Sequence, residues 1–414
     1  MKNKKIVYII FSLILVVYIG CNEVERNDFI DQSGDAPPQV TVTGIRNTPG
    51  GAVVKYTLPE DKNLLYVQAE YEIRPGVKRE AKSSYFKDSL VLEGFGKEKP
   101  YEVNIYTVGR NKKASAPITE TVYPTTPPVI LAGKSLRETF SGVAVDLVNP
   151  GEANLAIVLL GDTAKHGYLT ELFTFYTGNS KGAFNYRPQT PKLDTIPYTF
   201  GVYLRDRWDN YSDTVIVIGL KPWYEEEILK DGARGKWAPL FQSGTASIYE
   251  HMPVNASYPL TRMFDGLLGI DGFHGRETHE LPSYLTWDLN SIVKLSRLRI
   301  FPRQHGDDRW KRGHPYRFEL WGSLRFPNSE LDHTWIPLGS FISEKPSGPG
   351  AQITQEDIDF SNAGLNYDLE VSDFAPFPQS EVRYLRLVTR ETYAFAPIST
   401  VHIVEIDLWG IYVE

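Results

Sequence analysis

The chain has 414 residues, 42% of them hydrophobic and 23% charged, a length that exceeds one ordinary domain and supports two to four packed cores. Its formal net charge is -7, with no large basic block beyond the first five residues, which argues against a phosphate-neutralising nucleic-acid surface. The single cysteine, Cys21, excludes an intramolecular disulfide and any cysteine-based metal cluster.

In chain order, "MKNKK" is a basic start, followed by "IVYIIFSLILVVYIG", an apolar run shorter than a comfortable membrane span. Cys21 comes directly after Gly20. This arrangement resembles a bacterial lipoprotein signal, with Tyr18 where Leu is usual. The resemblance implies a signal over residues 1–20, cleavage before Cys21, and lipid attached to that cysteine as a membrane anchor. The acidic, then Pro-rich stretch to residue 38 has no apolar period and reads as a tether. Acidic residues just after the cysteine are similar to the surface-export signals of Bacteroidetes lipoproteins, so the expected location is the outer membrane, at the cell surface.

From Gln39 the pattern is β. "VTVTGI", "AVVKYTL", "LLYVQAEYEI", "YEVNIYTV" and "ITETVY" alternate apolar and polar residues between turn-rich stretches. About seven short strands over 39–125 predict a sandwich of the immunoglobulin or fibronectin type. "PTTPP" at Pro124–Pro128 marks its boundary, because paired prolines cannot continue a ladder. A second sandwich is expected over 126–222. At a fixed offset of 97 residues Tyr101 meets Tyr198, Tyr106 meets Tyr203, Arg110 meets Arg207 and Ser115 meets Ser212. Two copies argue against a long solenoid or propeller. Within the second copy, Trp208 of "RDRWDN" reads as a turn aromatic capping the sandwich.

"KPWYEEEILKDGARGKW" interrupts the β pattern and predicts a short helix, with Pro222 near its start and Gly232 near its end. It opens a third domain, 223–414, that is again β: "SYLTWDL", "KLSRLRIF", "YRFELWGS", "WIPLGSF", "RYLRLVT" and "VHIVEIDLWG". Within it, "SRLRIFPRQ", a polar loop and "HPYRFELWGS" resemble the discoidin-like, or coagulation factor V/VIII type C, sandwich, in the branch classed as family-32 carbohydrate-binding modules. "MFDGLLGIDGFHG", "YLTWDL" and the closing "VRYLRLVTRETYAFAPISTVHIVEIDLWG" follow the same pattern. The whole layout is similar to three-domain Bacteroidetes lipoproteins made of domains of unknown function and encoded among polysaccharide-utilisation genes. The overall expectation is an all-β chain: two immunoglobulin/fibronectin-like sandwiches followed by a discoidin-like, galactose-binding-like one.

The resemblance implies a glycan ligand and particular residues. Arg303 stands where sugar-binding relatives place a guanidinium, whose paired donors suit neighbouring hydroxyls. The alternative is an exposed loop arginine pairing Asp307 or Asp308. His274 matches a loop histidine that exchanges hydrogen bonds with a hydroxyl, against a structural role. Trp310, Tyr393 and Phe395 lie on loops where an aromatic face stacks on a pyranose, against core or rim packing. Asp265 and Glu405 match positions that hold a structural Ca²⁺ in the family, and Asp271 adds an oxygen; the alternative is an Asx turn and a salt bridge. There is no Gly-x-Ser-x-Gly elbow, His-Glu-x-x-His helix or phosphate-cradling Gly loop. The expected function is therefore non-catalytic capture of poly- or oligosaccharide beside neighbouring polysaccharide-uptake proteins. A surface protein-interaction or adhesion role, and an unrecognised glycoside hydrolase, are the alternatives.

Overall fold

A strand with one buried face needs apolar residues at every second position, and "LLYVQAEYEIR" supplies them. In the computed structural model Val67, Ala69, Tyr71 and Ile73 are buried along Leu64–Arg74 while their neighbours face outward. The structure describes residues 33–188, 190–240, 257–269, 272–275, 280–304, 309–326, 334–369 and 380–413. The leader with Cys21, Asp271, and the 305–308 part of the polar loop lie outside the described residues. The chain divides into two compact units, Met1–Leu131 and Ala132–Glu414.

The first unit is a fibronectin-like sandwich. Thr41–Thr48, Gly51–Thr57 and Ser89–Glu93 form one sheet in that order. Val77–Ser84, Leu64–Arg74, Tyr101–Gly109 and Ile118–Val122 form the other. Val54, Leu92, Phe95, Val103 and Ile105 fill the space between them.

The second sandwich repeats this topology. Gly133–Thr139, Gly142–Val148 and Lys181–Tyr186 make a three-stranded sheet. Thr170–Thr177, Leu155–Gly161, Tyr198–Arg205 and Val215–Leu220 make a four-stranded one, in that order. The 97-residue offset has a structural counterpart. Ser115 Oγ accepts from Thr107 N at 3.1 Å, and Ser212 Oγ accepts from Leu204 N at 2.8 Å. In each copy the serine ties the turn after the sixth strand back to that strand.

The third domain is a discoidin-like sandwich built on one long strand, Ser283–Phe301. Sequence patterning divides this stretch into two strands; the structure joins them through an irregularity at Asn290, which has φ 55°. Asp288 Oδ1 accepts from Asn290 N at 2.7 Å and stabilises the kink. The first half pairs with Val382–Thr392, and the second with Glu405–Tyr412. Such a bent, shared strand lets one segment serve both layers of a sandwich. Trp287, Leu298, Phe318, Leu387, Ile406 and Leu408 are among the core side chains.

One expectation is corrected here, and one element is added. The predicted helix after Pro222 is not formed. Glu226–Glu227 instead pairs with Gly410 and Trp409, and Ile228 N donates to Leu408 O at 2.8 Å. The available edge of the last strand supplies backbone partners that a short helix would have to forgo. Gly235 then turns a tight hairpin at φ 148°, where a side chain would be strained. Conversely, a helix at Gln355–Ala363 escapes sequence patterning. Its stability comes from a capping box: Asp357 N donates to Thr354 Oγ1, and Thr354 N donates to the Asp357 carboxylate.

The second and third domains share one unit, and the segment that enters the third is held by buried charge. Glu225 takes Ser296 Oγ at 2.5 Å and Arg297 at 3.2 Å through both oxygens. Burial pushes the Glu225 carboxyl up, but the Arg297 guanidinium outweighs it and holds the group below the usual range. Asn185 and Arg187 of the second sandwich bond Asp368 of the third domain.

Candidate functional site

The short strand Phe273–His274 runs antiparallel to His402–Ile403, with His274 opposite His402. Alternation sends Phe273 and Ile403 into the core, at 1% and 0% exposure, and leaves the two imidazoles side by side. Their ring centroids lie 3.8 Å apart. The strands approach closely because Gly272 has no side chain: a Cβ there would sit 2.3 Å from Ile403 O. Arg303 enters from the end of the long strand, positioned by Val404 N donating to Phe301 O at 3.0 Å. Tyr258 closes the group, its ring centroid 5.9 Å from that of His274. Tyr258, His274, Arg303 and His402 line a cleft of about 130 Å³.

The chemistry of this cleft is set by donors and by burial. His274 Nδ1 lies 2.5 Å from Gly275 O. A carbonyl only accepts, so Nδ1 is the nitrogen that donates there. Burial pushes His402 down to about 3, and His274, Arg303 and Arg312 push the same way. His402 is therefore neutral at physiological pH, and its Nε2 is held 2.8 Å from Thr400 Oγ1. The cleft thus offers a cationic planar donor beside imidazole groups. It is smaller than the roughly 300–1,000 Å³ of sites that engulf a ligand.

The structure brings Arg303 and His274 together, and adds His402 and Tyr258, which sequence reasoning missed. A histidine inside the apolar run "VHIVEI" was the available signal, since buried polar residues are uncommon in such strands.

Trp310, Tyr393 and Phe395 go elsewhere, into an aromatic cluster with His314 and Tyr316. Trp310 is 4% exposed, and its Nε1 donates to Asp357 O at 3.1 Å. Tyr393 is 7% exposed and donates to Ser343 O at 2.5 Å; burial pushes its phenol well above the usual value. Both expectations of a stacking platform are corrected: these faces are occupied by core packing. Trp310 holds a left-handed φ of 54°. Phe395 alone of the three is exposed, and it packs against Tyr316 at 5.1 Å.

His314 sits within this cluster with neither ring nitrogen bonded among the described residues. Burial pushes it down to about 3. Its neutral form is the folded one, so its contribution is fully present above pH 6.5 and is lost as pH falls toward 3. At pH 5 that loss is about 2 kcal/mol. His314→Phe is expected to keep or raise stability at pH 7 and to remove this share of the acid sensitivity, read by urea unfolding at both pH values. A loss above about 1 kcal/mol at pH 7 would reveal a hydrogen bond to the ring.

The calcium expectation meets a different arrangement. Asp265 is exposed, and its Oδ1 accepts from Leu267 N at 2.9 Å, an Asx turn. Glu405 is 2% exposed; its Oε2 accepts from Gly266 N at 3.1 Å, and its carboxylate pairs with the Lys230 ammonium. Lys230 also pairs with Asp407, which Arg299 bonds from its other side at 2.6 Å. Burial lifts the Glu405 carboxyl to about 7 despite its partners. The residues present do not fit a calcium ion at Glu405, because an ammonium already supplies the positive charge there. Among the described residues no group of three or more His, Cys, Asp or Glu is arranged to hold a metal. Adding EDTA or calcium is expected to leave the thermal midpoint unchanged; a rise of several degrees with calcium would contradict this reading.

Fold and site together define an all-β chain of three sandwich domains, the last of discoidin-like fold with a small Arg–His cleft at the end of its shared strand. Three families, each described as a domain of unknown function, match it in tandem: DUF4959 over residues 37–124, DUF5126 over 125–231 and DUF5000 over 264–410. Among solved structures, a SusE-like protein is similar at 23% identity, covering 69% of this chain and 100% of its own, with a TM-score of 0.41. The family 32 carbohydrate-binding module of NanJ from C. perfringens, solved in complex with galactose, is 13% identical. It covers 45% of this chain and 99% of its own, with a TM-score of 0.29. The C-terminal domain of a chitobiase from Bacteroides fragilis is 21% identical, covering 46% and 100%, with a TM-score of 0.28. No curated protein matches the chain.

Proposed function

We propose that this chain is a non-catalytic glycan-binding protein. It is held at a bacterial outer-membrane surface through lipid on Cys21, and it captures poly- or oligosaccharide at the Arg303 cleft for neighbouring uptake proteins. One observation carries the reading: Arg303, His274 and the neutral His402 converge on a single small cleft. A guanidinium with two parallel donors matches two adjacent hydroxyls, and the imidazoles beside it add polar edges to the same cleft.

Glycoside hydrolysis needs two carboxyl groups facing one bond. The described lining of the cleft has none, and the one carboxyl held near 7, Glu405, is engaged by Lys230 and Gly266. A protein-partner reading draws on Leu267 and Leu268, 70% and 55% exposed on the adjoining loop. Screening the purified chain on immobilised plant, host and microbial glycans separates these readings. Saturable binding without release of reducing ends supports glycan capture. Silence on every glycan, with a protein partner recovered that no sugar displaces, would overturn it.

A further inference from the structure

The repeated sandwiches differ at one end, and the difference points to a second site. In the first sandwich, the turn after Tyr101–Gly109 is covered by the chain's own residues 33–38. Asn111 Nδ2 donates to Asp35 O at 3.0 Å, and Thr107 Oγ1 donates to Pro38 O at 2.9 Å. The second sandwich carries Arg205, Trp208 and Tyr211 where the first has Val108, Asn111 and Ala114. There the corresponding end is an open cleft of about 560 Å³, inside the range of small-molecule sites.

Strand register builds this cleft. Ala156 lies opposite both Tyr176 and Arg205, so all three side chains share one face of the four-stranded sheet. The small alanine forms a floor between a tyrosine that is 74% exposed and a guanidinium. Tyr211 lies across a backbone bridge from Arg205, which brings the phenol to the guanidinium's side of the cleft. Beyond the strand ends lie Asn154, Asp206, Arg207 and Asp209. Asp206 is locked by Trp208 N at 2.8 Å and by Asn210 N at 2.9 Å. Arg207 lies over the Trp208 ring at 4.3 Å, so Trp208 supports a cleft wall and does more than cap the turn.

We infer that this cleft of the second sandwich is a binding site for a neutral oligosaccharide, separate from the Arg303 cleft. Two arginines and two aspartates balance in charge, which suits an uncharged ligand. They supply paired donors and acceptors for hydroxyls. Tyr176 offers an exposed ring for the apolar face of a pyranose, by analogy with other aromatic contacts. Linked on one chain, two weak sites would hold a polymer more tightly than either alone.

The test titrates neutral gluco-, manno-, xylo- and galacto-configured hexasaccharides into the purified chain, its Arg303→Ala form, and that form with Tyr176→Ala or Arg205→Gln added. At least one hexasaccharide should still bind the Arg303→Ala chain. Tyr176→Ala should weaken that binding by about tenfold or more with an unchanged thermal midpoint. Residual binding unmoved by both second substitutions would overturn the inference, as would no binding to the Arg303→Ala chain. A protein partner lost with Tyr176→Ala but displaced by none of the sugars would also overturn it. Should Arg303→Ala leave all saccharide binding intact and Tyr176→Ala abolish it, the Arg303 reading fails and this one stands.

Discussion

Replacing Lys230 with methionine is expected to destabilise the third domain by about 3–5 kcal/mol, the usual cost of leaving a buried charge without its partner. The Lys230 ammonium lies between Glu405 and Asp407, whose side chains are 2% and 8% exposed. Arg299 would still serve Asp407, at 2.6 Å, but among the described residues Glu405 would keep only the Gly266 N–H. The pH dependence follows from the raised carboxyl. Burial already holds Glu405 near 7, and losing the ammonium pushes it higher. A carboxyl with a raised folded pKa is unpenalised below its unfolded value, and it destabilises increasingly as pH rises through the window between the two. The Lys230→Met loss should therefore be smaller at pH 5 than at pH 8 in urea unfolding. Equal stability to the parent at pH 8 would show that the ammonium does not carry this charge balance.

Much of the fold is legible in the residues, because alternation is a local signal. Leu64–Arg74 displays its buried face in its spelling, and the 97-residue offset aligns turns that the structure builds alike through Ser115 and Ser212. Local signals fail where a distant edge competes. The segment after Pro222 has helix punctuation, yet the edge of Glu405–Tyr412 draws it into pairing. "SYLTWDL" and "KLSRLRIF" read as separate strands, and only the register on both sides of Asn290 shows that the strand continues.

The site divides in the same way. Arg303 and His274 are picked out by the family resemblance of their segments, whereas His402 joins them through a cross-strand pairing that spacing does not encode. Trp310 and Tyr393 occupy loops in the sequence, but burial depends on the Asp357 and Ser343 carbonyls that receive them. The competitor for Glu405 is hidden for a comparable reason. Lys230 reaches Glu405 from a segment far away in the chain, and no reading of "FDGLLGIDG" alone contains it.

The second large effect concerns ligand binding. Arg303→Ala removes the only cationic side chain lining the described cleft while leaving His274 and His402 in their cross-strand pair. A charge-assisted hydrogen bond contributes about 1.5–3 kcal/mol, so glycan affinity should fall on the order of 10- to 100-fold. Arg303→Lys should recover little, because a point charge cannot reproduce two parallel donors. Arg390, which instead pairs with Glu319 at 3.0 Å, provides a control whose replacement by alanine should leave affinity unchanged.

The most direct measurement is calorimetric titration of whichever glycan the panel identifies into the parent, Arg303→Ala and Arg390→Ala chains, with thermal midpoints taken alongside. Loss of affinity confined to Arg303→Ala at an unchanged midpoint is the predicted result. Equal affinity in all three chains would contradict the assignment of glycan capture to this cleft.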